Sequence, residues 1–126
     1  MNRLSRTLRS IFLAAVCLLA LQAGRSLAQD GQAFLSDIQD LPLMRGLEEI
    51  EGQGLAFDKP SGRIVEAHAV GDLEEAEVRR FYERTLSQLG WQPAGRDTFH
   101  REGEVLSISF ERSGGHLVVG FTLQPG

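Results

Sequence analysis

The sequence predicts an α+β domain: an antiparallel sheet of four to five strands with one helix packed on one face, in the order β-β-α-β-β-β. Three observations carry this. Val78, Phe81, Tyr82, Leu86 and Leu89 recur at helical spacing. Val105 to Arg112 and Leu117 to Leu123 alternate apolar and polar, as half-buried strands do. "GLAFDKPSGRIVEAHAVG" reads as a hairpin, because proline and glycine in Pro60-Ser61-Gly62 supply the dihedral angles a tight turn needs.

Each element follows in order. Residues 29–40 are polar with scattered apolar side chains and read as a flexible lead-in to a single domain over 41–126. In "DLPLMRGL", Leu41, Leu43 and Met44 are expected to plug one edge of the core. Leu55 to Lys59 and Arg63 to Val70 are the arms of the hairpin. On the second arm Val65, Ala67 and Ala69 share one face, small enough for a helix to approach closely, and Ile64, Glu66, His68 and Val70 share the other. Asp72 is placed to cap the helix with Glu75 as capping-box partner, and Glu74 and Glu77 suit the positive end of the dipole. Gly90 sits where a left-handed residue ends a helix, and Trp91 is placed to fold back on that end. Trp91 to Ala94 and Thr98 to Arg101 flank the "AGRD" turn, with Pro93 demoting the first to an edge. "EGE" and "SGG" turn the chain twice more. Leu106, Ile108 and Phe110, then Leu117, Val119, Phe121 and Leu123, point to the core, while Glu66, His68, Ser107, Ser109 and Thr122 make a wet opposite face.

The chain opens with an export pattern. Arg3, Arg6 and Arg9 precede the apolar run Ile11 to Leu21, and Ser26-Leu27-Ala28 supplies small residues for a cut. Residues 1–28 are therefore expected to be a signal peptide, and the run of eleven is short for a span of roughly 20 residues. Cys17, preceded by Val16 and by few apolar residues, fits the apolar region better than a lipid anchor site. Cleavage near Ala28 predicts a periplasmic or secreted protein without cysteine, hence without disulfide or thiol chemistry, and no stable membrane span in the mature form.

Beyond residue 28 stand 17 acidic residues against 9 basic ones, a net charge of about −8 with neutral histidine. Such a balance disfavours nucleic acid, whose recognition leans on clustered Lys and Arg. His68, His100 and His116 lie 32 and 16 residues apart without a metal-binding spacing, Gly52-x-Gly54 lacks the rest of a phosphate loop, and no serine sits in a nucleophile elbow. No catalytic residue, metal site or cofactor is expected. The residues set aside for binding are Arg79, Arg80 and Arg84 on the outer helix face, as an interaction patch, and Tyr82, Trp91 and Phe99, as a cleft between helix and sheet.

"LPLMRGL", "FDKPSGRIVEA", "FYERTLSQLGW", "F-x-REGEVLSI" and "LVVGFTLQP" together resemble an uncharacterised group of exported proteobacterial proteins, over most of residues 40 to 125. The "FY-x-x-x-L-x-x-x-GW" helix followed by strands is also similar to small α+β domains of secreted and envelope proteins. The resemblance implies the fold and carries no catalytic residue. The sequence thus points to a non-catalytic exported domain that binds an envelope protein, with a small-molecule or lipid binder as the alternative.

Overall fold

The computed structural model describes residues 31–126, and Gln32–Gly126 form one compact unit. The expected signal peptide, the cut near Ala28 and Cys17 lie outside the described residues.

Among the described residues seven strands and one helix follow the order β-β-β-α-β-β-β-β. They are β1 (Leu47–Glu49), β2 (Leu55–Lys59), β3 (Gly62–Gly71), α1 (Glu75–Gln88), β4 (Gln92–Gly95), β5 (Thr98–Arg101), β6 (Glu104–Ser113) and β7 (His116–Pro125). The α+β class stands, with one helix among the described residues. The expected count of four to five strands and the order β-β-α-β-β-β do not. Two short strands account for the difference. β1 has three residues, too few to show a period, and β4 pairs with β5 despite Pro93, through a register shift between Pro93 and Gly95.

All strands are antiparallel, in the order β1-β3-β7-β6-β5-β4, with β2 also on β3. β1 and β2 share one side of β3: Leu47 to Glu49 face Gly71 to Ala69, and Leu55 to Lys59 face Glu66 to Gly62. They form one interrupted edge strand, bulged over residues 51–54 opposite Ala67. The closely spaced arms are joined by two-residue turns. Glu102-Gly103 and Gly114-Gly115 each take positive φ at both positions, which matches the right-handed twist of the strands they join.

The helix side of the sheet is the core. Val65, Ala67, Ala69, Leu106, Ile108, Leu117, Val119 and Phe121 are buried there. Ala67 lies opposite Phe121 and Ala69 opposite Val119, so small residues make room for large ones. Val78, Tyr82 and Leu86, four apart on α1, pack onto this face, with Phe81 and Leu89 partly buried beside them. Burying each large side chain contributes about 1.5–3 kcal/mol.

Both ends of the helix are set by the chain around them. Gly90 takes φ +84, and the N–H of Trp91 donates to Leu86 O at 3.0 Å while that of Gly90 donates to Ser87 O at 3.3 Å. This pair of bonds satisfies carbonyls that the helix end leaves free. At the other end Asp72 does not cap. Glu74 is the N-cap and makes no side-chain cap hydrogen bond. The Asp72 carboxylate instead meets His116 Nδ1 across the start of β7, and Arg112 donates to Leu73 O and Glu74 Oε2. Side chains from two strands have taken over the corner.

The lead-in also differs from expectation. From Gln32 it belongs to the folded unit, as a strap closed on itself by Leu43 N–H to Ala33 O and Leu35 N–H to Leu41 O. Leu35, Ile38, Leu41 and Leu43 are buried, and Met44 packs against them. The expected plug therefore begins at Leu35, not Leu41. Two apolar side chains in a polar stretch show no period, and only their burial reveals their role.

Candidate functional site

The two sets of residues singled out from the sequence fall in different places. Of the helix arginines, Arg80 and Arg84 are exposed, but Arg79 is not free. Its guanidinium forks onto Asp97 at 2.6 and 2.9 Å, reaches Glu75 at 2.7 Å and lies 4.8 Å over the Phe110 ring. Hydrogen bonds to Asp97 first, and then to Glu75, hold its pKa above the ordinary arginine range. Asp97, at φ 56 in the β4–β5 turn, also accepts Ile108 N–H through its carbonyl. Arg79 thus fixes α1 to that turn, and the outward trio reduces to two.

Tyr82, Trp91 and Phe99 are core side chains, 1%, 4% and 4% exposed, and form no open aromatic cleft. Tyr82 stacks edge-on against Phe81 and Phe121. Its hydroxyl donates to Pro42 O at 2.9 Å and accepts Met44 N–H at 3.3 Å. That is the partner its burial demanded: the phenol pins the strap to the helix. Burial pushes its pKa up to about 12, against the pull of the Met44 N–H. Trp91 lies beneath Arg101, whose guanidinium carbon is 4.5 Å from the ring centroid and whose Nη1 donates to Leu89 O. Trp91 lines a cavity of about 400 Å³ between strap residues 36–40 and Arg63, Arg101 and Glu104, whose wall mixes charges of both signs with Ile38, Val65 and Leu123.

Among the described residues no three His, Cys, Asp or Glu side chains gather into a metal-binding group. His116 is spent on Asp72, His100 is exposed on β5, and His68 leans with Ser109 over Gly120, where a Cβ would lie 2.5 Å from the serine Oγ. His68 Nδ1 is buried with no partner among the described residues.

The feature that stands out is an edge. A sheet edge offers unpaired N–H and C=O groups, and a stable domain normally guards them. β4 is guarded: it has four residues, one is Pro93 without an N–H, and a bulge interrupts it. β1 is guarded by the strap, whose Ser36 gives its N–H and its hydroxyl to the Glu49 carboxylate at 3.1 and 2.7 Å. Among the described residues β2 has no such cover, and all five of its residues are exposed. Ile50 N–H donates to His68 O, so even-numbered residues of β3 turn their peptide groups toward this side. Antiparallel alternation then bonds Gly62, Ile64 and Glu66 to Lys59, Phe57 and Leu55, and turns the backbone of Ala56 and Asp58 outward. Leu55 and Phe57 are 52% and 39% exposed. They share the outer sheet face with Ile64 and Glu66.

This edge was not among the residues chosen from the sequence. With Pro60-Ser61-Gly62 read as the turn, the sequence did not give this register. The structure places Gly62 in β3 and leaves Pro60-Ser61 alone as the turn, which sets Leu55 and Phe57 opposite Glu66 and Ile64, on the face already read as wet.

No protein family, no curated protein and no solved structure matches the chain. No helix among the described residues is long and apolar enough to cross a membrane.

Proposed function

We propose that this chain is an exported, non-catalytic accessory domain of the cell envelope, which takes an extended segment of a protein partner onto the β2 edge by strand addition. The open edge carries the reading: two apolar side chains beside unpaired backbone at Ala56 and Asp58, in a sheet whose other borders are blunted or covered. Main-chain pairing supplies affinity in this mode, and alternate side chains supply selectivity. The acidic balance beyond residue 28 turns nucleic acid away, and the basic and apolar leader accounts for export to the periplasm or beyond.

The test is a photo-crosslinking residue at Phe57 in living cells. The expected result is one adduct with an envelope protein, lost when Ala56→Pro is added and not seen with the crosslinker at Gln92 on β4. Proline at 56 removes an outward N–H and leaves the β2–β3 ladder whole. An adduct that survives Ala56→Pro, or none from a folded and exported protein, overturns the proposal.

A further inference from the structure

We infer that the β2 edge also pairs with itself, so that a second copy of this chain occupies it when no partner strand does. This rests on the reading of β2 as the interaction edge and adds its resting state.

A two-fold pairing of identical antiparallel strands places one residue on the axis and needs outward backbone groups disposed equally about it. β2 meets both conditions at Phe57. The outward residues are Ala56 and Asp58, one on each side. Ala56 then bonds Asp58 of the second copy, and Asp58 bonds Ala56 of the second copy, about four main-chain hydrogen bonds in all. The open segment is also bounded symmetrically: the 51–54 bulge ends it before Leu55, and the Pro60-Ser61 turn ends it after Lys59. Both copies therefore present the same five residues.

The side chains agree with this register. Phe57 meets Phe57 of the second copy at a position without hydrogen bonds, where side chains come closest. Leu55 lies opposite Lys59 of the second copy. Within one chain the Lys59 ammonium already sits 5.6 Å from the Phe57 centroid, so its stem lies along the apolar strip that pairing covers. Like charges do not face each other anywhere along the five residues.

Two terms oppose the pairing and set its strength. A five-residue contact falls below the size of a stable interface. The net charge of about −8 beyond residue 28 repels a second copy. The dimer is weak, which leaves the edge available to a partner, and it tightens as salt screens the repulsion.

Sedimentation of the exported protein, from micromolar to millimolar concentration, reads the dimer fraction directly. The expected result is reversible dimerisation, several-fold stronger at high than at low salt, and lost in Ala56→Pro with the circular dichroism spectrum unchanged. Register is tested by disulfide trapping in a Cys17→Ala background. Phe57→Cys should crosslink to itself, Leu55→Cys should not, and Leu55→Cys mixed with Lys59→Cys should. A protein monomeric throughout, a dimer indifferent to Ala56→Pro, or equal self-crosslinking at 55 and 57 overturns the inference. A monomer whose Phe57 still captures an envelope protein in an Ala56-dependent way overturns the second copy and keeps the strand-addition reading. A dimer lost in Ala56→Pro, in cells where the same substitution costs no partner, does the reverse.

Discussion

The two lateral borders of this sheet are built in opposite ways. At the β4 border the chain spends Pro93, a bulge and the Arg79–Asp97–Glu75 cluster on closing the sheet and fixing it to the helix. At the β1–β2 border only half is closed, by the strap held through Tyr82 and Glu49, and Leu55 to Lys59 are left bare. Closure at both other places takes several residues and their hydrogen bonds. An open stretch carrying Leu55 and Phe57 is thus the exception in its own fold, and that exception is the ground on which β2 is proposed as an interaction edge.

The contrast can be broken most severely where β1 joins β3. A Cβ at Gly71 would lie 2.2 Å from the Gly46 carbonyl oxygen, a backbone atom that cannot swing aside. Gly71→Ala should cost about 3 kcal/mol or more in urea unfolding, by the overpacking argument, and unseat the closed half of the border. Gly120→Ala meets the Ser109 hydroxyl, which can rotate, and should cost less.

Next comes the strap. Tyr82→Phe leaves Pro42 O and Met44 N–H without their partner and should cost about 1–3 kcal/mol. The same residue gives a pH test. With the folded phenol raised to about 12 and the unfolded one near 10, only the unfolded chain ionises in between. Stability should therefore hold below about pH 10 and fall by up to about 3 kcal/mol as pH rises toward 12. Tyr82→Phe should flatten that decline, which thermal unfolding against pH would read.

At the closed border, Arg79→Ala strips Asp97 of a bidentate partner at a site where both side chains are about one-fifth exposed or less. The expected loss is about 1–3 kcal/mol, against less than about 0.5 for Arg80→Ala or Arg84→Ala on the open helix face. Equal effects at all three would mean that the cluster does not hold the turn. Ala56→Pro should have the smallest effect on stability, within about 0.5 kcal/mol, because its N–H faces outward. A large loss would place that N–H inside the ladder and close the edge.

Much of the fold was legible because it rests on local periods. The Val78–Leu89 stripe, the alternation of β6 and β7 and the two faces of β3 were all readable, as was Gly90 as the end of the helix. Elements without a period were not. β1 is too short to show alternation, and nothing local sets the buried Leu35 apart from the exposed Phe34 beside it or marks Ile38 as core. Asp72 has the right residue type for a cap, but its carboxylate goes to a histidine 44 residues away and Glu74 stands at the N-cap. Of the residues singled out for binding, Arg80 and Arg84 stay exposed, while Arg79, Tyr82, Trp91 and Phe99 are held or buried by distant groups. Arginines on a helix and aromatics near its end look available in a linear chain. Whether Arg79 is free depends on Asp97, and whether Tyr82 is free depends on Pro42, and neither is a sequence neighbour.

By itself the sequence determined the helix, the long strands with their buried faces, the turns, the acidic balance and the absence of cysteine beyond residue 28. Each is a property of residue type or of spacing along a few residues. Tertiary structure alone decided the seven-strand order, the strap over the core, the burial of Tyr82, Trp91 and Phe99, and which edge is left open. These depend on groups distant in sequence meeting in space. A backbone N–H is free or paired according to what lies beside it, and its own residue does not say.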